Sequence, residues 1–207
     1  IEFIDLYKKI NKNIKLMVID DLANREHECD ILLDQNYRIE NKINPYTLLV
    51  SGKTKFLLGP KYALINNEYK NLRSIKNTRS KLKNILIYFG GLDSKNNSGK
   101  LLREISNDEF KHIQINVVVS RYSKHKKMLE DLATIRGNTN IFYTLPSLAN
   151  LINKADICIG AGGSTTWERS CLGLPSILIC MADNQIDVVN NVAKSKSAIK
   201  IQNNIHM

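Results

Sequence analysis

The chain is defined first by several sequence features that it lacks. Its four cysteines, at positions 29, 158, 171 and 180, form no CxxC pair and do not have the His/Cys spacing of a metal site. No apolar run approaches the ~20 residues that a membrane-spanning helix needs, and the first residues do not resemble a signal peptide. We therefore predict a cytoplasmic protein with reduced cysteines, no metal site and no membrane association.

Motifs of several large functional classes are also absent. The glycine-rich segment 160–168 has neither GK[ST] nor GxGxxG spacing, and the 207 residues contain no recognisable Ser/His/Asp set. Lys and Arg number 30 against 20 acidic residues, a net charge of +10, and the stretch 53–83 is the most one-sided part. Such a charge suits nucleic acid, a membrane surface or a phosphorylated small molecule. Because no RNP-like or helix-turn-helix pattern accompanies the charge, we do not expect nucleic acid binding.

What the chain does contain is a regular alternation of short apolar runs and amphipathic stretches. Strands are predicted over 84–89, 113–120, 140–145, 157–160 and 176–180, and helices over 97–106, 124–135, 147–154, 164–172 and 184–196. The strands are apolar along their whole length, which indicates that helices cover both faces of the sheet. We therefore predict an α/β fold with a doubly wound parallel sheet.

The front of the chain follows the same pattern less completely. Strands are predicted over 15–20, 30–34 and 55–59, together with a helix over 1–10 and a basic helical connection over 66–83. These strands are too few for a self-sufficient sheet. We expect two domains: residues 1–75 as the rear part of an N-terminal α/β domain, and residues 76–207 as a C-terminal Rossmann-like domain.

Ligands of parallel sheets bind beyond the carboxyl ends of the strands, so candidate site residues are those that follow each strand. Gly90 and Gly91 come directly after the strand predicted over 84–89. A glycine turn at this place lets a ligand approach the backbone closely. The alternative is an ordinary turn, because glycines are common after strands.

A second glycine-rich turn carries a stronger signal. The segment 160–168 reads GAGGSTTWE, with three glycines in four residues between a strand and a helix. Backbone N–H groups, the hydroxyls of Ser164 and Thr165 and the helix dipole would all suit a phosphate. Glu168 would lie one helical turn after Ser164, where it could accept hydrogen bonds from vicinal hydroxyls such as those of a ribose. The alternative is that Ser164 and Thr165 only cap the helix, with Glu168 completing a capping box.

An amide pair follows the strand predicted over 176–180. Asn184 and Gln185 can each donate and accept hydrogen bonds, as recognition of sugar hydroxyls or acetamido groups requires. The alternative is that Asp183 or Asn184 only caps the next helix.

Polar residues are also dense after the strands of the front part. They include Asp21, His27 and Asn36, which we interpret as the wall of a site. The alternative for His27 is a structural role, which is common for a lone histidine.

Several blocks of the sequence together resemble one enzyme family. They are VIDDLANREHECDILLDQN (18–36), LLGPKYALI (57–65), YFGG (88–91), LPSLANLINKADICIG (145–160) and GAGGSTTWERSCLGLPSILICMADNQ (160–185). The chain resembles the UDP-sugar hydrolases of pseudaminic acid biosynthesis, which remove UDP from UDP-2,4-diacetamido-2,4,6-trideoxy-β-L-altropyranose. Its C-terminal half is also similar to the UDP-N-acetylglucosamine transferases of peptidoglycan synthesis. The resemblance implies a GT-B-like fold with two Rossmann-like domains, the N-terminal one incomplete in this chain.

The resemblance assigns substrate contacts to Gly90, Gly91, Leu145, Gly162, Gly163, Ser164, Thr165, Glu168 and Asn184, and the amide chemistry described above adds Gln185. It implies that the turn over 162–165 holds the diphosphate, that Glu168 holds the ribose and that the backbone of Leu145 meets the uracil. Asn184 matches a family position beside the sugar, and we expect it to take part in catalysis. The partner would be a UDP-sugar, with no cofactor, and water would attack the anomeric carbon with inversion.

One part of the family pattern does not occur in the chain. This part is a GxGH loop whose histidine is the expected catalytic base, and the resemblance implies a position before Ile1. We therefore expect the catalytic histidine upstream of Ile1, and this piece to be inactive alone. Two alternatives stay open: a glycosyltransferase that uses a UDP-amino sugar, and a non-catalytic nucleotide-sugar-binding module. We expect a monomer.

Overall fold

The computed structural model describes residues 9, 13–37, 44–50, 52–73 and 79–201. The chain divides into two compact units, residues 1–64 and residues 65–207. The helix predicted over 1–10 lies outside the described residues, apart from Lys9.

The first unit contains a three-stranded parallel sheet. Its strands are β1 (Met17–Ile19), β2 (Ile31–Asp34) and β3 (Lys55–Leu58), in the order β1-β2-β3. Leu32 of the central strand pairs with Val18 and Phe56 and is fully buried. The three strands predicted for this part of the chain are confirmed, each somewhat shorter than expected.

The second unit contains a six-stranded parallel sheet. Its strands are β4 (Asn84–Tyr88), β5 (Gln114–Val119), β6 (Thr139–Tyr143), β7 (Ile157–Ala161), β8 (Ser176–Ile179) and β9 (Ile199–Ile201). Their order is β6-β5-β4-β7-β8-β9, and every neighbouring pair is parallel. This is the doubly wound order of a Rossmann sheet, in which the chain moves outward from the centre in both directions. The predicted sheet is therefore confirmed.

Six α-helices of the second unit are described. They are α1 (Asn67–Arg73), α2 (Asn97–Glu104), α3 (Lys126–Arg136), α4 (Ala149–Lys154), α5 (Thr165–Cys171) and α6 (Ile186–Lys194). Ile85 and Ile87 of β4 pack with Leu102 of α2 in one buried cluster. Leu86, which lies between them, packs in another with Tyr69 of α1. Alternate residues of one strand thus enter two cores, which explains why the strand is apolar throughout.

Two parts of the predicted secondary structure differ from the structure. Strand β9, a three-residue edge strand whose Ile199 is exposed, was not predicted from the sequence. The helix predicted over 66–83 was too long: α1 ends at Arg73, and 79–83 are not helical. The guanidinium of Arg79 donates to the carbonyls of Ala155 and Gly173, at 2.9 and 3.0 Å. These hydrogen bonds hold the segment against the chain just after helices α4 and α5. Helix α1 belongs to the second compact unit, whereas we expected its residues to end the first domain.

Candidate functional site

The candidate site lies where β4 and β7 end side by side. After β4 the chain crosses to β5 on one side of the sheet, and after β7 it crosses to β8 on the other. Such a switch point leaves a crevice outside the carboxyl ends of the two strands, where ligands of this sheet type bind. Gly160 pairs with Tyr88 at this end of the strands, and an added Cβ at Gly160 would lie 2.0 Å from the Tyr88 carbonyl oxygen.

The turn after β4 is open on one side. Gly90 has a φ of 89°, a left-handed conformation that favours glycine. An added Cβ would meet no atom within 4 Å at Gly90 or at Gly91. The Gly91 carbonyl accepts a hydrogen bond of 2.7 Å from the N–H of Ser120, just after β5. The turn is therefore anchored to the neighbouring strand while space remains beside its glycines.

Asp93 holds the start of the next helix and was not singled out from the sequence. Its buried carboxylate accepts hydrogen bonds from the N–H groups of Asn97 and Ser98, at 2.9 and 2.8 Å. These N–H groups belong to the first turn of α2, which has no partners for them within the helix. The available sequence signal was an aspartate shortly before a predicted helix.

The turn after β7 packs against the beginning of α6. An added Cβ at Gly162 would lie 2.1 Å from Val189 Cγ2, whereas at Gly163 the nearest atom would be Gln185 Nε2 at 3.7 Å. The Gln185 side chain is fixed because its Oε1 accepts a 3.0 Å hydrogen bond from the N–H of Met181. The structure thus brings Gly162, Gly163 and Gln185 together, as three of the predicted site residues.

The helix-capping alternative for this turn is wrong. Ser164 occupies the position before α5, but its side chain makes no capping hydrogen bond and is exposed. The N–H of Thr166 instead donates to the Gly163 carbonyl, at 2.9 Å. Thr165 is half-buried. The Ser164 hydroxyl therefore has no capping role in this structure.

Glu168 lies half-buried beside Tyr69, a residue of α1. Burial raises the pKa of the Glu168 carboxyl, while the hydrogen bond to Tyr69 and the charge of Arg169 act in the opposite direction. Burial also raises the pKa of Tyr69 to about 12, and Ser147 and the backbone of Leu148 hydrogen-bond the same hydroxyl. Tyr69 therefore connects Glu168 with the loop after β6.

Leu145 belongs to that same loop. It is half-buried and packs in the apolar cluster that contains Tyr69. The structure thus brings the predicted residues Glu168 and Leu145 into one neighbourhood. Sequence analysis missed Tyr69 because it lies in a basic stretch far from both residues along the chain.

Asn184 lies in a short 3-10 helix, Asp183–Gln185, and is exposed. The residue that precedes α6 is Gln185, and it makes no side-chain capping bond. The alternative that Asp183 or Asn184 caps this helix is therefore wrong. Asn184 directly precedes Gln185, whose side chain is held by its hydrogen bond from Met181.

The first unit has its own polar cluster at the ends of β1 and β2. The hydroxyl of Tyr46 lies 3.1 Å from Asp20 Oδ2 and 3.2 Å from Asp34 Oδ2, and all three residues are buried. Asp20 also accepts a 3.0 Å hydrogen bond from Arg25 and lies 3.5 Å from His27 Nε2. The predicted residue His27 therefore faces the interior of its own unit, with 9% of its side chain exposed.

The other two residues of the predicted wall lie at the surface of the same unit. The side-chain amide of Asn36 donates a 3.0 Å hydrogen bond to the backbone carbonyl of Asp21. Asp21 is exposed, and Asn36 is half-buried. The structure therefore brings Asp21 and Asn36 into contact.

Among the described residues, no group of three His, Cys, Asp or Glu side chains could hold a metal ion. No described helix is long and apolar enough to cross a membrane. The four cysteines, all of which lie in the described part of the chain, are not joined by disulfide bonds.

Comparison with protein families gives one match over most of the second unit. The model of the family described as "Glycosyltransferase family 28 C-terminal domain" matches residues 86–204. This range includes both glycine turns, Glu168 and the amide pair.

Three curated relatives match much of the chain. It is 28% identical over 186 residues to the UDP-2,4-diacetamido-2,4,6-trideoxy-beta-L-altropyranose hydrolase of Campylobacter jejuni, a match that covers 90% of this chain and 65% of that protein. It is 27% identical over 201 residues to the uncharacterized protein MJ1062 of Methanocaldococcus jannaschii, covering 93% and 41% respectively. It is 23% identical over 153 residues to the spore coat polysaccharide biosynthesis protein SpsG of Bacillus subtilis, covering 73% and 45%. The chain thus spans about half of the length of these relatives. The resemblance described from the sequence is confirmed.

Solved structures share the fold. The structure of MurG from Acinetobacter baumannii matches with a TM-score of 0.54 and 14% identity, covering 95% of this chain and 55% of that one. The structure of the glycotransferase of kitacinnamycin matches with a TM-score of 0.57 and 17% identity, covering 84% and 42%. The predicted α/β fold of the GT-B kind is therefore confirmed.

Proposed function

Because the chain belongs to the family of glycosyltransferase family 28 C-terminal domains, we propose that its second unit binds the nucleotide of a UDP-sugar. In the complete protein, we propose, water attacks the anomeric carbon of a UDP-diacetamido-trideoxy sugar and releases UDP. The name of the Campylobacter jejuni relative supports this choice of reaction and substrate.

One observation carries the proposal: two glycine turns end adjacent parallel strands at the switch point of a doubly wound sheet. Space remains beside Gly90 and Gly91, and Gly163 is free of close contacts. A diphosphate in this crevice would meet backbone N–H groups from two directions, as well as the exposed hydroxyl of Ser164 and that of Thr165. Developing negative charge on a UDP leaving group would be stabilised by the same groups.

The nucleoside would lie toward the loop after β6. Glu168 would accept hydrogen bonds from the ribose hydroxyls, and the backbone of Leu145 would meet the uracil edge. The contact of Tyr69 with Glu168 supports this role, because a carboxylate held by a buried neighbour is preorganised for binding.

The sugar would lie toward the amide pair. Asn184 is exposed, and we propose that it contacts the sugar near the reacting carbon while Gln185 borders the phosphates. We also propose that Asp21 and Asn36 of the first unit contribute to sugar recognition, and that His27 is a structural neighbour of Asp20 within that unit. The catalytic base is proposed to be a histidine that this chain does not contain.

Titration of the chain with UDP by isothermal titration calorimetry tests nucleotide binding. We expect saturable binding of UDP, weaker binding of ADP, and a loss of affinity of about tenfold in Glu168→Ala, because a hydrogen bond to a charged group is removed. Glu130→Ala is a matched control, since Glu130 is a carboxylate of α3 that bonds Tyr143. A folded wild-type chain that gives no saturable signal with UDP would refute the nucleotide site.

A glycosyltransferase is the second candidate, favoured by the description of the matched family. A transferase requires an acceptor, whereas a hydrolase needs only water. The complete gene product should therefore be incubated with the UDP-diacetamido-trideoxy sugar alone, and the products analysed by mass spectrometry. Free sugar and UDP formed without an acceptor support the hydrolase; intact substrate that is consumed only after an acceptor is added supports the transferase. Binding of UDP without turnover in either assay would favour a non-catalytic module.

A further inference from the structure

A buried arginine lies directly behind the second glycine turn. Arg169 of α5 has 2% of its surface exposed. Its Nη2 donates to the carbonyl of Ala161, at 2.8 Å, and to the hydroxyl of Thr166, at 3.0 Å. Ala161 immediately precedes Gly162, and the N–H of Thr166 donates to the Gly163 carbonyl. The guanidinium thus bonds to both sides of the turn from the protein interior.

The hydrogen-bonding capacity of Arg169 is only partly used. Its Nε is buried without a hydrogen-bond partner, and its Nη1 contacts the sulfur of Cys158 at 3.3 Å. Burial raises the pKa of the Cys158 thiol in spite of the nearby charge, so the sulfur is neutral and does not balance the guanidinium.

Among the described residues, no carboxylate forms an ion pair with this cation, although its charge lowers the pKa of the Glu168 carboxyl. None of the ion pairs found among the described residues includes Arg169. Glu168 precedes it in the chain, but the two side chains form no ion pair there. A buried guanidinium that keeps an unsatisfied donor is unfavourable, so packing alone does not account for Arg169.

A second buried arginine shows what a purely structural guanidinium looks like in this fold. Arg136 at the end of α3 is 5% exposed, and all three of its side-chain nitrogens donate hydrogen bonds. Its acceptors include the carbonyls of Ile105 and Ile113. Ile113 directly precedes β5, so this arginine lies at the amino ends of the strands, whereas the glycine turns follow their carboxyl ends. The donors of Arg136 are satisfied by carbonyls, and no turn of the candidate site lies beside it.

We propose that Arg169 is a positioning residue whose buried charge strengthens the binding of the ligand phosphates to the turn over 162–165. It does not touch the ligand; it holds the turn and acts on the phosphates through it. The inference rests on the proposed function, because it needs an anionic ligand in the crevice. The ligand phosphates would then be a second anionic partner of this charge, besides the Glu168 carboxylate.

The charge should act strongly from this position. Little water separates a buried guanidinium from the turn, so its field is weakly screened there compared with that of a surface lysine. Its effect should also grow with the number of phosphates on the ligand. Uridine should be almost unaffected, UMP affected moderately and UDP most.

The test compares the affinities of uridine, UMP and UDP for the wild-type chain and three variants by calorimetry. Arg169→Met removes the charge and keeps an unbranched side chain, and Arg169→Lys keeps the charge and loses the planar fork. Arg136→Met is the control, because it removes a similarly buried charge from the amino ends of the strands.

In Arg169→Met we expect the affinity for UDP to fall about tenfold while that for uridine stays within about threefold. Arg169→Lys and Arg136→Met should keep the wild-type ratio of the two affinities, even if their melting temperatures fall. A merely structural role would change the binding of uridine and UDP equally. An unchanged ratio in Arg169→Met would therefore overturn the proposal.

If Arg169→Met does not fold, the lysine variant decides. A ratio of UDP to uridine affinity close to that of the wild type supports the proposal; a tenfold fall overturns it, because the charge is still present. If the folded wild-type chain binds neither uridine nor UDP, the proposed function fails together with this inference. If the wild type binds both and the ratio does not depend on Arg169, only the inference fails.

Discussion

Val189 occupies the space that a side chain at Gly162 would need, since an added Cβ would lie 2.1 Å from Val189 Cγ2. Val189 is fully buried in α6, so it has little room to move away. The close approach fixes the turn after β7 against the helix that follows β8. The glycine at 162 is therefore required by packing, whatever ligand the turn holds.

We expect Gly162→Ala to destabilise the chain by about 1–3 kcal/mol, because the added methyl group overpacks the contact with Val189. Thermal unfolding followed by circular dichroism measures the effect. The double variant Gly162→Ala with Val189→Ala should recover part of the loss of the first substitution, since the second makes room for the methyl group.

Gly163→Ala is the matched control for this prediction. At Gly163 the nearest atom to an added Cβ would be Gln185 Nε2 at 3.7 Å, an ordinary contact. Its unfolding free energy should stay within about 0.5 kcal/mol of the wild-type value. Equal destabilisation by both alanines would contradict the packing role of Val189.

Glu168 should make nucleoside binding dependent on pH. Burial raises the pKa of its carboxyl above the ordinary value of 4.5, and the ionised form accepts hydrogen bonds on both oxygens and more strongly than the protonated form. The affinity for uridine should therefore fall as the pH drops through this raised pKa. Uridine is the suitable ligand because it has no phosphate that titrates in the same range.

The same titration in Glu168→Gln should show weaker binding that does not change over this pH range. Calorimetry between pH 4 and pH 7.5, a range set about the ordinary carboxyl pKa, measures both curves. A pH-dependent curve that persists in the glutamine variant would mean that another group is responsible.

The hydrogen bond from Tyr69 should set the pH at which the affinity for uridine falls. This hydrogen bond to Glu168 lowers the pKa of the carboxyl, against the effect of burial. In Tyr69→Phe the pKa of Glu168 should therefore rise further, and the midpoint of uridine binding should move to higher pH. Tyr88→Phe is the control, because the charge of Glu168 affects Tyr88 but no hydrogen bond from Tyr88 holds the carboxylate. A midpoint unchanged in Tyr69→Phe would show that this contact does not hold the carboxylate in solution.

Much of the fold could be predicted because its signals are local. In β4, Ile85 and Ile87 enter one core and Leu86 the other, so the strand reads as a continuous apolar run. Both glycine turns could be located because they follow such runs directly. Position at the end of a parallel strand is enough to bring them to one edge of the sheet.

The contacts that could not be predicted join residues far apart in the chain. Tyr69 lies near the start of the second unit in the sequence, far before Glu168, which it contacts in the fold. No pattern within α1 indicates this contact. Arg169 was missed for a different reason: a cation on an amphipathic helix is normally exposed, and only the packing behind the turn shows that it is buried. Residues such as Tyr69 and Arg169, which contact the site residues from the protein interior, are harder to predict from the sequence than the glycine turns themselves.

The last prediction concerns Asp20 in the first unit. Burial would raise the pKa of its carboxyl, but hydrogen bonds from the N–H of Ala23, from Tyr46 and from the N–H of Leu22 outweigh this, and the pKa is lowered. A lowered pKa means that the ionised form stabilises the folded chain. This stabilisation is complete above the ordinary pKa of 3.8 and is lost as the pH falls through the lowered value.

We therefore expect Asp20→Asn to lose about 3 kcal/mol of unfolding free energy at pH 7, because the partners of a buried carboxylate are left unpaired. The difference from the wild type should shrink as the pH falls below 3.8. Urea unfolding at a series of pH values measures it. Glu26→Gln, an exposed change in the same segment, should follow the wild-type curve at every pH. If the difference between Asp20→Asn and the wild type were constant with pH, its loss of stability would come from altered packing and not from the carboxylate charge.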